Sequence, residues 1–569
     1  MSIHVQALKD EIKRLVDEAF LRAIADGALP EADMPDYLIE RPADSAHGEF
    51  AVNAALAGAR VFRMAPAKIA AIIADKMELS GTCVKKCEVA GPGFINFYAA
   101  PVYFSNILVD IIEKGEGYGR SDFGKGKRVM VEFVSANPTG PMHMGNARGG
   151  ALGDCLAAVM DAAGFEVERE FYVNDAGNQI DKFALSLDVR YQQHFLGEDA
   201  ISLPEDAYQG GDITDLAAEF ANKHGDSYVN KSEAARRKAL VKFALPRNIA
   251  RMKSDLDRYR IKYDTWFYES ALHKNGDVMR AVNLLTERGM TYEKDGAVWY
   301  KATGLGAEKD EVLIRANGVP TYFAADIAYH ANKFARGFDL CVNVWGADHH
   351  GHVARMKGAM DAIGLDGSRL EVVLMQLVNL MQDGAPVRMS KRTGKAIQLA
   401  DLLDEVSVDA ARFFFNLRES TTQMDFDLGL AVQQDAQNPV YYVQYAHARI
   451  CSLFAKYAEQ GGVYAPSPAD HLSLLNDGEE LELIRHLADF TDEIIRCAES
   501  REPAGITRYC LELAAKYHKF YNSCRVIGED AALTCARLTL CDCTRQCLAN
   551  ALRMLKVTAP ERMEAASSG

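Results

Sequence analysis

The segment from Val129 to Asp154 constrains the fold of this chain more than any other stretch. It opens with the apolar run 129–131, passes through a turn with two prolines and four glycines, and shows apolar residues at helical spacing from Ala151. A strand, a glycine-rich turn and a helix in this order favour a parallel sheet covered by helices. Backbone N–H groups and the positive end of the helix dipole then meet at the carboxyl edge of the sheet, where a phosphate can bind.

The turn itself has an unusual spacing. Residues 138–146 read PTGPMHMGN, which matches neither GxGxxG nor GxxxxGK[ST], so the two most familiar phosphate-binding fingerprints are not in this turn. His143 stands two residues before Gly145, so its ring N–H can point at a phosphate while the backbone passes close by. We therefore expect His143 to contact a phosphate.

Two further polar loops follow apolar strands. The strand predicted at 167–173 leads into NDAGNQ (174–179), and the strand at 341–345 leads into GADHHGH (346–352). Loops after parallel strands share one edge of a sheet, so both are candidate ligand loops. For the first loop a second interpretation stays open, because Asn174 or Asp175 is also a good N-cap for the next helix.

A glycine-bearing loop at 385–395 carries four cations in the sequence APVRMSKRTGK. Lysine-rich loops are often solvated surface, but a mobile cover over phosphates has the same composition. The phosphate-type turn upstream in the same chain favours the functional interpretation.

Taken together, these segments resemble one family. PTGPMHMGN and RMSKR are similar to the two signature motifs of class I aminoacyl-tRNA synthetases, and NDAGNQ and TYFAADIAYH (321–330) resemble the arginyl members. The resemblance runs in order over nearly the full chain. It implies an α/β fold: a Rossmann-like parallel-sheet catalytic domain, a small α/β N-terminal domain and an all-α C-terminal helical domain.

The expected domain bounds follow from this resemblance and from the length of 569 residues. Residues 1–115 would form an N-terminal domain that binds the tRNA elbow. Residues 116–398 would form the catalytic domain, with a mostly helical insertion at about 196–260. Residues 399–569 would form a helical anticodon-binding domain.

The resemblance also implies a reaction. It is the ATP-dependent ligation of L-arginine to tRNA(Arg) through an arginyl-adenylate, with release of AMP and pyrophosphate. ATP would act as a substrate with Mg²⁺, and many arginyl enzymes form the adenylate only with tRNA bound. The expected partners are tRNA(Arg), L-arginine and ATP, and the expected state is a monomer.

The resemblance assigns roles to individual residues. The implied catalytic residues are His143, Asn146 and Lys391. The implied ATP-binding residues are Pro138, Gly140, His143, Gly145, Asn146, Asp348, Met389, Ser390 and Lys391. The implied arginine-binding residues are Glu132, Ser135, Asn137, His143, Tyr322 and Asp326, and the implied tRNA-binding residues are Tyr441, Tyr445 and Arg449.

The chemistry of the arginine side chain fits part of this assignment. A guanidinium presents five N–H donors and a permanent positive charge, so a selective pocket needs fixed acceptors. Glu132 and Asp326 would supply carboxylates, and Tyr322, one helical turn before Asp326, would supply a phenol oxygen and a flat wall. For Tyr441 and Tyr445, stacking on RNA bases and packing in a helix core remain equally open.

Asn146 departs from the family, because most members have histidine there. Asparagine keeps a hydrogen-bond donor but loses the option of a positive charge, so we expect reduced but retained activation. Two rival functions remain: a noncatalytic paralogue that binds tRNA or a partner, and a small-molecule adenylyltransferase. The loop at 385–395 argues against the first, and the long helical C-terminal third argues against the second.

Bulk composition limits the remaining possibilities. The chain has 64 Lys and Arg against 79 Asp and Glu, a net charge of −15, which argues against nonspecific coating of nucleic acid. The basic stretch 231–262 fits an RNA-binding surface or a solvated helix about equally well. No apolar run reaches about 18 residues, so no membrane span is expected. The 12 cysteines, with no secretory signal, predict reduced thiols and a cytoplasmic location.

No metal centre is expected from the sequence. Asp348, His349, His350 and His352 lack an HExxH helix or a second ligand cluster, and Cys535, Cys541, Cys543 and Cys547 lack paired CxxC spacing. Buried thiols are therefore favoured over structural zinc.

Overall fold

The computed structural model describes residues 2–382, 384–387 and 397–563. Its N-terminal part is a four-stranded antiparallel sheet in the order β1-β2-β4-β3, covered by helices. Two of its strands, β3 and β4, flank the turn at Gly91–Gly93. The elements are α1 Ile3–Ala25, β1 Ile39–Glu40, β2 Phe50–Val52, α2 Ala54–Val61, α3 Pro66–Asp75, β3 Val84–Ala90, β4 Phe94–Ala99 and α4 Pro101–Lys114.

A five-stranded parallel sheet in the order β12-β11-β5-β6-β7 forms the centre of the molecule. The apolar run 129–131 lies in the middle strand β5, and its side chains are fully buried. The strands are β5 Arg128–Glu132, β6 Glu166–Val173, β7 Thr265–Tyr268, β11 Leu340–Gly346 and β12 Leu370–Met375.

Helix α5, Met144–Ala162, covers this sheet and is buried along most of its length. The prediction that the helix begins at Ala151 is wrong by two turns. Glycines at 145, 149 and 150 suggested a longer turn, but a cap at its first residue starts the helix at Met144. Small side chains there let the helix pack directly on β5.

A helical segment lies between β6 and β7, and it begins at Asn178, before the start of the predicted insertion at about 196. It comprises α6 Asn178–Leu196, α7 Gly211–His224 and α8 Glu233–Arg258, which share an apolar core of their own. Before β11 the chain forms α9 Glu269–Lys274, α10 Asp277–Glu287, an antiparallel sheet of β8 Thr291–Lys294, β9 Ala297–Tyr300 and β10 Glu311–Ile314, and α11 Tyr322–Ala335; α12 His350–Ala362 follows β11.

The C-terminal part is mainly helical. One strand, β15 Met424–Asp427, interrupts it and pairs in parallel with β13 Val378–Gln382, which also pairs with β14 Ala385–Pro386. The helices are α13 Leu399–Glu405, α14 Val408–Phe415, α15 Leu428–Val432, α16 Pro439–Glu459, α17 Ala469–Leu472, α18 Gly478–Ala488, α19 Phe490–Ser500, α20 Ala504–Ser523 and α21 Ala531–Met554.

A buried arginine joins this helical part to the central sheet. Arg412 on α14 donates to Asp154 of α5 at 2.6 Å, to the Tyr259 carbonyl at 3.0 Å and to the Leu555 carbonyl at 2.6 Å. All three contacts lie away from solvent, so this arginine joins α5 to α14 and to the residue that follows α21. Within the described ranges, no helix is long and apolar enough to cross a membrane.

Candidate active site

The turn before α5 is held by a reciprocal cap. The Gly145 N–H donates to His143 Nδ1 at 3.2 Å, and the His143 N–H donates to Asn146 Oδ1 at 3.0 Å. Two backbone donors that a helix start normally leaves unpaired are therefore satisfied. Asn146 thus has a structural role here, as the acceptor that closes the cap.

The same cap fixes the tautomer of His143. Because Nδ1 accepts a hydrogen bond, the proton of the neutral imidazole must be on Nε2. Partial burial of the ring lowers the pKa of His143, which keeps the imidazole neutral near pH 7. The site therefore presents an Nε2–H donor at the positive end of α5, a combination that suits a phosphate oxygen.

A cavity of about 520 Å³ lies beside this turn, and we call it the turn cavity. The structure places five of the predicted residues on its wall, together with side chains of the loop after β6 and of the helical insertion. The lining includes Ser135, Asn137, Gly140, His143, Asn146, Gln179, Tyr208 and Asp212.

A second cavity of about 550 Å³, the acidic cavity, lies at the carboxyl edge of the sheet. Its lining includes Glu132, Ser135, Asn137, Tyr172, Asn174, Asp326, Tyr329, His330, Trp345, Asp348 and His352. Ser135 and Asn137 line both cavities, so the two spaces meet there. Two molecules bound in the two cavities would meet at these residues.

The chain leaves β5 through a strained turn. Val134 has φ +68° and Ser135 has φ +40°, which is unusual for residues other than glycine and especially for a β-branched one. Ser135 Oγ donates to Glu132 Oε1 at 2.8 Å and accepts from the Tyr172 N–H at 3.1 Å, and these bonds hold the turn. Strain of this kind is often retained at binding sites.

The two predicted carboxylates differ in their partners. Glu132 is 6% exposed, and its Oε2 accepts from the buried ammonium of Lys333 at 2.5 Å. Asp326 on α11 is half-buried, and its Oδ2 lies 3.2 Å from His352 Nε2. The negative charge of Glu132 is therefore already compensated inside the protein, whereas that of Asp326 faces the cavity.

Tyr322 lies apart from this pair. Its phenol oxygen accepts from the Gln179 N–H at 3.1 Å, and its ring lines an adjacent cavity of about 250 Å³. The structure therefore places Tyr322 behind the loop 174–179, one helical turn from Asp326.

Glu269 is a site residue that the sequence analysis missed. It begins α9 directly after β7, is 2% exposed, and lines the cavity next to Tyr322. Burial raises the pKa of its carboxyl, and the nearby negative charge of Asp326 adds to this. Its Oε1 lies 3.3 Å from His273 Nε2. The signal was available, because a glutamate directly after a strand lies at the same edge as the two predicted loops.

The second interpretation of the loop 174–179 needs a correction. Helix α6 begins after Gly177, and neither Asn174 nor Asp175 caps it. Asp175 instead accepts from the Ser270 N–H at 2.8 Å and from its hydroxyl at 2.7 Å. The loop therefore supports the first turn of α9 and so the position of Glu269.

Met389, Ser390 and Lys391 lie outside the described residues. The chain on either side of them is in place: the Val387 N–H donates to the Leu380 carbonyl at 2.8 Å, and Gln398 forms a β-bridge with His143. The stretch that follows the predicted loop thus lies beside the turn cavity.

The predicted tRNA contacts share one surface of α16. The rings of Tyr441 and Tyr445 lie parallel with centroids 6.4 Å apart, and Tyr445 is 42% exposed. The Arg449 guanidinium lies 4.1 Å over the ring of Tyr521 and 3.5 Å from His518 Nδ1. These two tyrosines do not lie in a helix core, because neither of their side chains is buried.

Part of the basic stretch 231–262 is internal. Arg236 is buried and pairs with Asp188, and Arg258 pairs with Asp404. Lys253 lies 4.5 Å over the ring of Trp266. Most of the other cations of this stretch are exposed, so the surface interpretation stays open for them.

Within the part of the chain that the structure describes, no group of three or more His, Cys, Asp or Glu side chains could hold a metal ion. The cysteines 541, 543 and 547 are buried in α21, in agreement with the prediction of buried thiols, and Cys535 is half-buried.

Three family models match the chain. They are described as "Arginyl tRNA synthetase N terminal domain" over residues 6–99, "tRNA synthetases class I (R), catalytic domain" over 107–450 and "DALR anticodon binding domain" over 443–563.

Curated relatives cover almost the whole chain. A protein of Ruminiclostridium cellulolyticum named "Arginine--tRNA ligase" is 53% identical over 98% of this chain and 99% of its own length. Another of the same name, from Caldanaerobacter subterraneus subsp. tengcongensis, is 55% identical with the same coverage.

Solved structures give the same result for the fold. A putative arginyl-tRNA synthetase from Campylobacter jejuni has a TM-score of 0.73 and 32% identity, covering 82% of this chain and 100% of that one. The arginyl-tRNA synthetase of Thermus thermophilus has a TM-score of 0.70 at 22% identity, covering 97% of this chain and 100% of that one.

Proposed function

The chain belongs to the class I arginyl-tRNA synthetase family, and from this premise we propose which of its residues carry the ligation of arginine to tRNA(Arg). Its relatives at about half identity are arginine–tRNA ligases, and the chain charges tRNA(Arg) with arginine in an ATP-dependent reaction. One observation supports the assignment most: an acidic cavity and a helix-terminus cavity meet at Ser135 and Asn137.

We place the arginine side chain in the acidic cavity. Its guanidinium carries five N–H donors; the carboxylates of Glu132 and Asp326 line this cavity, and that of Glu269 would approach from the adjoining cavity beside Tyr322. Since Lys333 already compensates Glu132, Asp326 and Glu269 would carry most of the charge pairing. Tyr322 would support them from behind.

The α-amino and carboxylate groups of arginine would lie where the cavities meet. Asn137 and Ser135 offer an amide and a hydroxyl there, and His143 faces the same point from the turn cavity. This arrangement puts the arginine carboxylate next to the place proposed for the α-phosphate of ATP.

We place ATP in the turn cavity. Gly140 and Asn146 line this cavity, where Asn146 would offer its amide nitrogen, and Pro138 and Gly145 of the same turn would complete the ATP contacts. Asp348 would contact the ribose from the loop after β11. Met389, Ser390 and Lys391 would approach the phosphates from the far side, with Lys391 as a point charge.

The first proposed step forms the arginyl-adenylate. A carboxylate oxygen of arginine attacks the α-phosphorus of ATP, a new P–O bond forms, and the bond to the β,γ-pyrophosphate breaks. The His143 Nε2–H and the Lys391 ammonium stabilise the charge that develops on the phosphoryl oxygens. Catalysis consists of positioning and charge stabilisation, and no covalent enzyme intermediate is needed.

The second proposed step transfers arginine to tRNA. A hydroxyl of the terminal ribose attacks the carbonyl carbon of the adenylate, the ester forms, AMP leaves with the bonding electrons, and the hydroxyl proton passes to the leaving phosphate oxygen or to water. The surface of Tyr441, Tyr445 and Arg449 would hold the anticodon loop by stacking and by cation–phosphate contact.

The proposal also covers Mg²⁺, the oligomeric state and the location of the protein. Mg²⁺ would enter bound to the phosphates of ATP, because the described residues offer no cluster of three protein ligands for it. The protein would act as a monomer in the cytoplasm. None of the steps above requires a second copy of the chain.

Asn146 does not favour a degraded copy of the enzyme. It completes the cap that orients His143, so the turn keeps its geometry without histidine at position 146. We therefore favour an active ligase over a noncatalytic paralogue.

The experiment is aminoacylation of total tRNA with each amino acid in turn, followed by Asp326→Asn. Arginine alone should be charged, and the variant should raise the KM for arginine by about tenfold to a hundredfold without changing that for ATP. Asp295→Asn is the matched control, because Asp295 lies in an exposed left-handed turn that asparagine tolerates. Equal KM values for arginine in both variants would contradict the proposed site.

A further inference from the structure

A buried chain of hydrogen bonds lies behind the acidic cavity. Lys333, which is 0% exposed, donates from Nζ to Glu132 Oε2 at 2.5 Å and to Asn343 Oδ1 at 2.8 Å. Asn343 Nδ2 lies 2.8 Å from His330 Nε2, and His330 Nδ1 lies 2.8 Å from the Asp326 carbonyl. The chain thus runs from one carboxylate of the cavity to the residue that carries the other.

Every link in this chain has a fixed direction. An ammonium only donates, so Asn343 accepts with its oxygen and must donate with its nitrogen. His330 Nε2 is therefore an acceptor, and its proton is on Nδ1, from which it is donated to the Asp326 carbonyl. Burial and the Lys333 charge lower the pKa of His330 well below its usual range, so the imidazole stays neutral and the direction is preserved.

Strand register places the members next to one another. Asn343 of β11 is the direct neighbour of Glu132 of β5 in the parallel sheet. His330 and Lys333 are three residues apart on α11, so both point at the sheet from one face of the helix. The ring of Tyr329 lies 4.4 Å from the Lys333 ammonium and closes the site on another side.

We propose that Lys333, Asn343 and His330 are positioning residues for arginine recognition, which hold the Glu132 carboxylate in register with the Asp326 helix. The inference rests on the proposed arginine site. A guanidinium that meets two carboxylates needs both at set positions, and a displacement of about 1 Å is enough to weaken such a contact.

A contribution to stability alone is a weaker explanation of this buried chain of hydrogen bonds. A buried ion pair can often be replaced by apolar side chains of similar volume with no loss of stability, whereas removing one partner is strongly destabilising. Lys333 and Asn343 do not line the cavity, and they reach it only through Glu132 and through His330, which lies on its wall and is bonded to the Asp326 carbonyl. Their effect on substrate must therefore pass through Glu132 and His330.

The test is a double-mutant cycle of Glu132→Gln and Lys333→Met, measured as KM for arginine and for ATP in aminoacylation. Each single variant should raise the KM for arginine by about tenfold or more and leave that for ATP within about twofold. Because Lys333 acts through Glu132, the double variant should be no worse than Glu132→Gln. Effects that multiply in the double variant would overturn the proposal.

Arg336→Met is the matched control. Arg336 lies on the same helix and pairs with the buried Glu170 at 2.6 Å, which is outside the acidic cavity. It should lower the unfolding temperature as Lys333→Met does, without raising the KM for arginine. A rise equal to that of Lys333→Met would assign the effect to general loosening of α11 and overturn the proposal.

A second variant covers the case in which Lys333→Met does not fold. Asn343→Leu breaks the next link while it leaves the ion pair in place, and it should raise the KM for arginine by about three- to tenfold. An unchanged KM for arginine in this variant would overturn the proposal. If Glu132→Gln itself leaves that KM unchanged, the proposed arginine site fails first, and this result is distinct from the other outcomes.

Discussion

Glu269→Gln should weaken arginine binding and at the same time stabilise the free protein. Glu269 is 2% exposed, and its negative charge faces that of Asp326. With Glu132 already paired to Lys333, the guanidinium would draw on two uncompensated carboxylates, of which Glu269 is one. A hydrogen bond to a charged acceptor contributes about 1.5–3 kcal/mol, so its loss should raise the KM for arginine by about 10- to 150-fold.

The stability change has the opposite sign. Burial raises the pKa of Glu269 above its ordinary value of 4.5, so the folded protein holds this proton more tightly than the unfolded chain. Its contribution to stability is therefore present at acidic pH and is lost as pH rises through the raised pKa. Glutamine stays neutral at every pH, so the variant should unfold at a higher temperature than the natural chain at pH 7, and the difference should shrink towards pH 4.5.

Two assays measure the changes in arginine binding and in stability. Steady-state aminoacylation with varied arginine gives the KM, and thermal unfolding without substrates from pH 4.5 to 8 gives the stability profile. Glu293→Gln on the exposed strand β8 is the control and should change neither. An arginine KM within twofold of the natural chain, or a lower unfolding temperature at pH 7, would refute the placement of Glu269 beside the guanidinium.

Three further changes test other parts of the molecule. Asn146→Ala removes the acceptor for the His143 N–H and should lower stability by about 1 kcal/mol in thermal unfolding and slow ATP–pyrophosphate exchange, whereas Asn146→His should retain exchange. Arg412→Leu takes one of two arginine partners from the buried Asp154, leaves the Tyr259 and Leu555 carbonyls without this donor, and should lower the free energy of unfolding in urea by about 3 kcal/mol or more. Tyr445→Ala removes a stacking face and should raise the KM for tRNA by about fivefold or more while that for arginine stays unchanged.

The sequence was sufficient for the central strand and for the loops at the carboxyl edge, because their signals are local. The run 129–131 is uniformly apolar as a strand buried on both faces requires, and each polar loop follows its strand directly. The start of α5 was missed for a local reason as well. A histidine and an asparagine form its cap, and these are not the serine or threonine and glutamate that usually mark one.

The partners of the carboxylates could not be read from the sequence. Glu132 and Lys333 are 201 residues apart, and they meet only because β11 lies next to β5 in the sheet. Periodicity predicts that α11 has a buried face but not which strand that face covers. Spacing alone does not fix the surroundings of Tyr322 either: it lies one helical turn from Asp326, but its hydroxyl accepts from the Gln179 N–H, a contact that joins residues 143 positions apart.

The charges around the acidic cavity explain why it would select arginine over other amino acids. Glu132, which is paired with Lys333, and Asp326 line this cavity, and Glu269 adds a carboxylate from the adjoining cavity, so the proposed guanidinium would pair mainly with Asp326 and Glu269. Arginine brings two positive groups, its guanidinium and its α-ammonium, and its carboxylate would face the His143 donor. Lysine has the same charges, but its three donors share one atom, so it cannot match the wider, planar set of donors that a guanidinium presents to carboxylates spaced apart. Selection therefore depends on the fixed spacing of the carboxylates. The hydrogen bonds of Lys333, Asn343 and His330 would control that spacing.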